Sequence, residues 1–190
     1  EGLIYRAWSE RNRELVDRLS DGRIGYVHIP AMSAQGLAEF ARGYFSQIRR
    51  DGMIVDIRGN LGGSGSPLVL DRLVRPFLTT GQIMGIDYPT TYPWGGFSQV
   101  FTGELALLVN EATMSDGDTM AYGWRQAELG PIYGTRTWGG TVGTGYLGPL
   151  LDGTTTNVPQ FALAATDGAW IVEGDGVAPD VEIGFDARAE

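Results

Sequence analysis

Three apolar runs constrain the fold more than anything else in the sequence. They are IGYVHIP at 24–30, GMIVDIR at 52–58 and GELALLVNE at 103–111. Each has the length of a buried strand and is closed by proline, glycine or a polar turn. Each is followed by a helical pattern: AQGLAEFARGYFSQIRR (34–50), LVLDRLVRPFL (68–78) and SDGDTMAYGWRQA (115–127). A parallel strand pair needs a crossover, and a helix between strands supplies it. The alternation therefore predicts an α/β domain with a mainly parallel sheet and flanking helices. A further helix is expected over residues 3–19, with apolar Leu3, Ile4, Ala7, Trp8, Leu15, Val16 and Leu19 and an Arg/Glu outer face; SDGR (20–23) ends it. Residues 79–103 read mostly as loop. GPIYGTRTWGG (130–140) reads as a strand and turn before a glycine-rich hairpin region, and AWIVEGDGVAPDVEI (169–183) closes the pattern.

The 190 residues fit one compact domain over residues 1–190, with no internal repeat or linker marking a second. The 29 glycines cluster between apolar runs, as turns do. The chain opens directly in a helical pattern and without methionine, so a piece of a longer chain is expected. No stretch reaches the ~20 apolar residues of a membrane span.

Composition removes whole classes of chemistry. There is no cysteine, so thiol catalysis and disulfides are excluded; all 14 basic residues are arginine, so a lysine base is excluded too. A single histidine cannot build a multi-histidine metal site. The net charge of −9 disfavours nucleic acid or an anionic membrane surface as partner.

Two stretches could carry chemistry. Glycines at 59, 62, 63 and 65 follow the strand ending in Asp56, Ile57 and Arg58. Such a turn can aim backbone N–H groups at an anion, or be only a tight turn. It lacks the lysine and spacing of a phosphate-binding loop. In NEATMSDGDTMAYGW (110–124), Ser115 joins an apolar run to a helix. On local pattern a serine there reads first as a helix cap, with Asp116 and Asp118 in the first turn, and second as a nucleophile whose developing charge faces a helix N-terminus. His28, inside a strand, reads as structural. Glu173 reads as an ordinary carboxylate at a strand end.

The motifs DIRGNLGGSG, LALLVNEATMSDGD, YGTRTWGG and VEGDGVAPDVEI, in this order, resemble the tail-specific (C-terminal-processing) serine peptidase family, and in it the tricorn branch. The resemblance implies a ClpP/crotonase-like fold and peptide hydrolysis through an acyl-enzyme, with no metal or cofactor. It implies Ser115 as nucleophile, the N–H groups of Gly63 and Asp116 as oxyanion hole, and Glu173 as a helper of the charge relay. It points to Gly62 and Asp87 in substrate binding, with Asp71 also flanking the stretch that holds Asp87. The family's usual dyad lysine falls on Gly140, so a histidine base is implied instead, borne with a PDZ-like domain on an upstream segment. Peptide substrates, a homo-oligomer and a cytoplasmic setting are expected. The rival readings are a non-catalytic binding module of the same fold and a crotonase-like acyl-CoA enzyme.

Overall fold

The computed structural model describes residues 2–81, 92–95 and 98–184. Its elements follow the sequence rhythm. Helix α1 (Gly2–Leu19) leads into strand β1 (Ile24–His28), helix α2 (Ala34–Ser46), strand β2 (Gly52–Asp56) and helix α3 (Ser66–Leu73). Three short strands come next: β3 (Thr79–Gly81), β4 (Tyr92–Gly95) and β5 (Ser98–Gln99). Strand β6 (Glu104–Val109), helix α4 (Asp116–Gln126) and strand β7 (Ile132–Gly134) precede the β8 (Gly143–Pro149) and β9 (Thr155–Phe161) hairpin, and β10 (Val181–Glu182) is last.

Strands β1, β2, β6, β7 and β10 lie side by side in that order, all parallel, as expected. Their register aligns His28 with Asp56 and Asp56 with Leu108. Side chains alternate across a strand, so Val27, Met53, Val55, Leu105, Leu107 and Val109 share one face. That face is buried against Phe40 and Tyr44 of α2, Val69 and Leu73 of α3, and Met120, Ala121 and Trp124 of α4. Two glycines inside α2 allow the helix to sit close. A Cβ on Gly43 would lie 2.6 Å from Cγ2 of Val27, and one on Gly36 would lie 1.7 Å from the Ala31 carbonyl oxygen.

Three elements differ from the sequence reading. Helix α3 starts two residues early and ends at Leu73 rather than at residue 78. Pro76 disfavours helical backbone at the residue before it, so the apolar periodicity of 74–78 has no helix to serve. The stretch 79–103 contains a three-stranded antiparallel sheet, β3–β4–β5, where loop was expected. Helix α1 forms, but Leu3, Ile4 and Leu19 are exposed. It meets β1 instead through Tyr5 and Trp8, whose rings pack on His28, and Asn12, whose amide donates to the Tyr26 hydroxyl at 3.4 Å. The strand surface beneath is polar, so aromatic and amide groups match it better than leucine. Among the described residues, no helix is long and apolar enough to cross a membrane.

Candidate active site

The carboxyl ends of β1, β2 and β6 point to one edge of the sheet, where ligands bind in open parallel sheets. Asn60, fully buried, ties their three exits together. Its amide donates to the Ile29 carbonyl at 2.7 Å, its Oδ1 accepts from the Gly62 N–H at 2.9 Å, and its carbonyl accepts from the Met114 N–H at 2.9 Å. The glycine turn then crosses under the chain after β1: Met32 N–H donates to Gly62 O at 2.8 Å, and Ser64 N–H donates to Met32 O at 2.8 Å. Gly63 has φ +143, and a Cβ there would lie 2.1 Å from the Met32 carbonyl oxygen, so no larger residue fits this crossing.

This turn meets Ser115. A Cβ on Gly62 would lie 2.5 Å from Ser115 Cβ, 2.9 Å from its Oγ and 3.0 Å from the Asp116 nitrogen. Gly62 spends both backbone groups inside the turn, on Asn60 and Met32. By contrast, the N–H groups of Gly63 and Asp116 donate to no group among the described residues. Uncommitted N–H groups in a turn that meets a hydroxyl are the kind of group that can hold an oxyanion.

The choice between cap and nucleophile for Ser115 turns on its conformation. It occupies the N-cap position of α4, yet its side chain makes no capping hydrogen bond. Its backbone has φ 57 and ψ −119, outside the geometry of an ordinary cap, which is extended. A non-glycine residue at positive φ stores about 1–3 kcal/mol and turns its side chain out of the local hydrogen-bond pattern. Asp116 caps the neighbouring helix instead: its carboxylate accepts from the Ser66 N–H at 2.9 Å and from the Ser66 hydroxyl. The N-termini of α3 and α4 thus converge beside Ser115, and both macrodipoles favour negative charge there.

Glu173 is exposed and lies across the segment after β7. Its Oε2 accepts from the N–H groups of Thr141 at 2.6 Å and Val142 at 2.8 Å, and from the Thr141 hydroxyl at 3.2 Å. The Thr141 N–H first, then that of Val142, hold its carboxyl below the usual glutamate range. The preceding residue, Val172, has φ 68, which is rare for a β-branched side chain. It is the centre of a γ-turn closed by Glu173 N–H to Ile171 O at 2.7 Å. Its buried side chain packs in the core, and its carbonyl accepts from Asp175 and Gly176, so the strained turn is held from both sides.

Ser115 and Glu173 are joined through Asp118. This carboxylate is fully buried on the first turn of α4 and accepts from Gly139 N–H at 2.9 Å and Gly140 N–H at 3.3 Å. The Trp138 N–H donates to Thr113 O at 2.9 Å, which ties the same segment to the turn before Ser115. At Gly140, the position to which the resemblance assigns lysine, a Cβ would lie 2.2 Å from the Trp138 ring, so a side chain there displaces that ring.

His28 is no partner of Ser115 in this arrangement. Its Nε2 lies 3.0 Å from the Arg58 carbonyl and must donate to it, and its Nδ1 lies 3.1 Å from the Tyr5 hydroxyl. Burial first of all lowers its pKa. Beside it, the buried Asp56 carboxylate binds the Arg58 guanidinium and the Tyr26 hydroxyl. Asp71, on α3, pairs with Arg75 at 3.0 Å. Asp87 lies outside the described residues. Sequence reasoning missed the roles of Asn60 and Asp118, and the Val172 turn. The only visible signal was the polar residue set inside two glycine-rich stretches, since inward and outward acids look alike in a helix's first turn.

The tricorn protease of Thermoplasma volcanium is 40% identical over 188 residues, covering 96% of this chain and 17% of its own. The tricorn protease homolog of Saccharolobus solfataricus is 39% identical over 186 residues, covering 95% of this chain and 16% of its own. The crystal structure of the tricorn protease matches the fold with a TM-score of 0.84 at 38% identity, over 95% of this chain and 17% of that one. The chain therefore spans about one-sixth of the length of these relatives. A sequence model of peptidase family S41 matches residues 23–183, and with most of its length covered the chain belongs to that family.

Proposed function

We propose that this chain is the nucleophile-bearing core of a serine peptidase. Ser115 Oγ attacks the carbonyl carbon of a peptide bond, and the N–H groups of Gly63 and Asp116 hold the resulting oxyanion. A general base takes the Ser115 proton and returns it to the leaving amine. Water then attacks the acyl-enzyme while the same base takes its proton, and collapse of the intermediate breaks the bond to Ser115 Oγ, which takes that proton back from the base as the acid product leaves. The single observation that carries this reading is the Ser115 turn: a strained serine with no capping bond, against Gly62 and next to an unspent N–H. The membership in family S41 points the same way.

The base is not His28, which is engaged by Tyr5 and Arg58. We infer a histidine supplied by another segment of the parent polypeptide, upstream with a PDZ-like domain, and oriented with help from Glu173. The Oε1 of Glu173 takes no hydrogen bond among the described residues and is available for that role. The much greater length of the relatives leaves room for such domains, and an oligomeric, cytoplasmic enzyme acting on peptides is the setting this reading expects. In the parent enzyme, a fluorophosphonate probe should label Ser115, and Ser115→Ala should abolish both labelling and peptide cleavage. Residues 1–190 alone should cleave peptides at near-background rates, because losing a triad's base costs a factor of about 10⁴. Full peptidase activity in the Ser115→Ala enzyme would refute the assignment.

A further inference from the structure

Four consecutive backbone N–H groups, those of residues 139–142, are all given to carboxylates. Gly139 and Gly140 donate to Asp118; Thr141 and Val142 donate to Glu173. One carboxylate is fully buried on the helix that begins at Ser115, and the other is exposed on the far side of the segment. The segment between them therefore cannot shift on one side without stretching bonds on the other. Its register is fixed further by Gly174 N–H to Gly139 O at 2.7 Å and by the close approach of Gly139 to Gly176, where a Cβ would lie 2.5 Å from the Gly176 nitrogen.

We propose that Asp118 is a positioning residue for Glu173: it fixes the 139–142 segment to the nucleophile's helix and so sets the distance from Glu173 to Ser115. This rests on the peptidase reading above. A carboxylate is suited to the task because it accepts two N–H bonds with no donor of its own. Asparagine, of the same size, turns one of these positions into an N–H facing an N–H.

The test is a double-mutant cycle in the parent peptidase, with Asp118→Asn, Glu173→Gln and the double variant. Asp118→Asn should lower kcat at least about fivefold, the lower end of ordinary coupling between sites, while KM stays near the wild-type value. In the Glu173→Gln background it should lower kcat no further, because the group it positions is already disabled. If the two losses multiply, Asp118 acts independently of Glu173 and the proposal is overturned. An effect confined to KM overturns it as well. Should Asp118→Asn fail to fold, the reciprocal arm decides. Glu173 is exposed, and Glu173→Gln should speed amide hydrogen exchange at Gly139 and Gly140 as well as at Thr141 and Val142. Unchanged exchange at the two glycines would overturn the proposal. Peptidase activity surviving Ser115→Ala would instead sink the peptidase reading itself.

Discussion

Alanine at Gly62 and alanine at Gly59 separate backbone strain from crowding at Ser115. Both glycines have positive φ, +86 and +69. An L-residue in that region costs roughly 1–2 kcal/mol, and for a domain of this size each kcal/mol lowers Tm by about 2–4 °C. Both variants should therefore lose about 2–8 °C. They differ in what the new methyl meets. At Gly59 nothing lies within 4 Å, whereas at Gly62 the methyl would stand 2.5 Å from Ser115 Cβ. Carbon atoms pack at about 3.5–4.0 Å, so something must move by about 1 Å. Gly62 is held by Asn60 and Met32 through both backbone groups, so the movement falls on Ser115. A 1 Å displacement of a reacting group can cost about 10²-fold. Gly62→Ala should thus lower kcat/KM by about that factor in the parent peptidase, with Gly59→Ala near wild type. Steady-state kinetics on a peptide substrate and thermal unfolding would check both. If the two variants lie within about threefold of each other in kcat/KM, the proximity argument for Ser115 is wrong.

Acid stability should depend on His28. Burial depresses its folded pKa below the unfolded value of about 6.5, so below that pH the unfolded chain binds more protons and the native state loses stability as pH falls. Replacement by Gln, which can still donate to Arg58 O, should flatten urea-midpoint curves below about pH 6.5 and leave Ser115-dependent cleavage intact; an unchanged acid slope would exclude His28 as its source. Trp124, fully buried and donating its indole N–H to Gly130 O at 2.8 Å, should cost about 3–5 kcal/mol as Trp124→Ala. Denaturant unfolding reads this directly.

The parallel sheet was legible because each buried strand is a short apolar run and each crossover keeps helical spacing, so local patterns carry the topology. Where patterns conflict with local chemistry the reading slips: 74–78 keep helical spacing, but Pro76 ends the helix, and the leucines of α1 face solvent because β1 presents Tyr26 and His28. The Ser115 turn was legible from its residue types as a place, and a role for it came only from the family resemblance. Cap and nucleophile share the same residue types, and only φ 57 and the absent capping bond separate them. The Asp116 carboxylate caps α3, fifty residues away in sequence, and no local rule looks that far. Nor does any pattern mark Val172, since β-branched residues ordinarily signal extended strand rather than a left-handed turn.

The bonds that assemble the Ser115 turn also dictate when it can exist during folding. Ser66 to Asp116, Thr113 to Ile57 and Asn60 to Ile29 span 50, 56 and 31 residues. Closing such loops costs chain entropy before any contact repays it, and parallel pairing of β1, β2 and β6 carries the same burden. Helices α2 and α4 can flicker into shape from local contacts alone, but the strained Ser115 backbone has nothing to hold it until all three strands are paired. The nascent or half-unfolded chain is therefore bound to present an ordinary serine in an ordinary loop. On the proposed peptidase reading, Ser115 gains its strained geometry only when these long-range contacts are in place, so an incompletely folded chain would carry a disarmed serine.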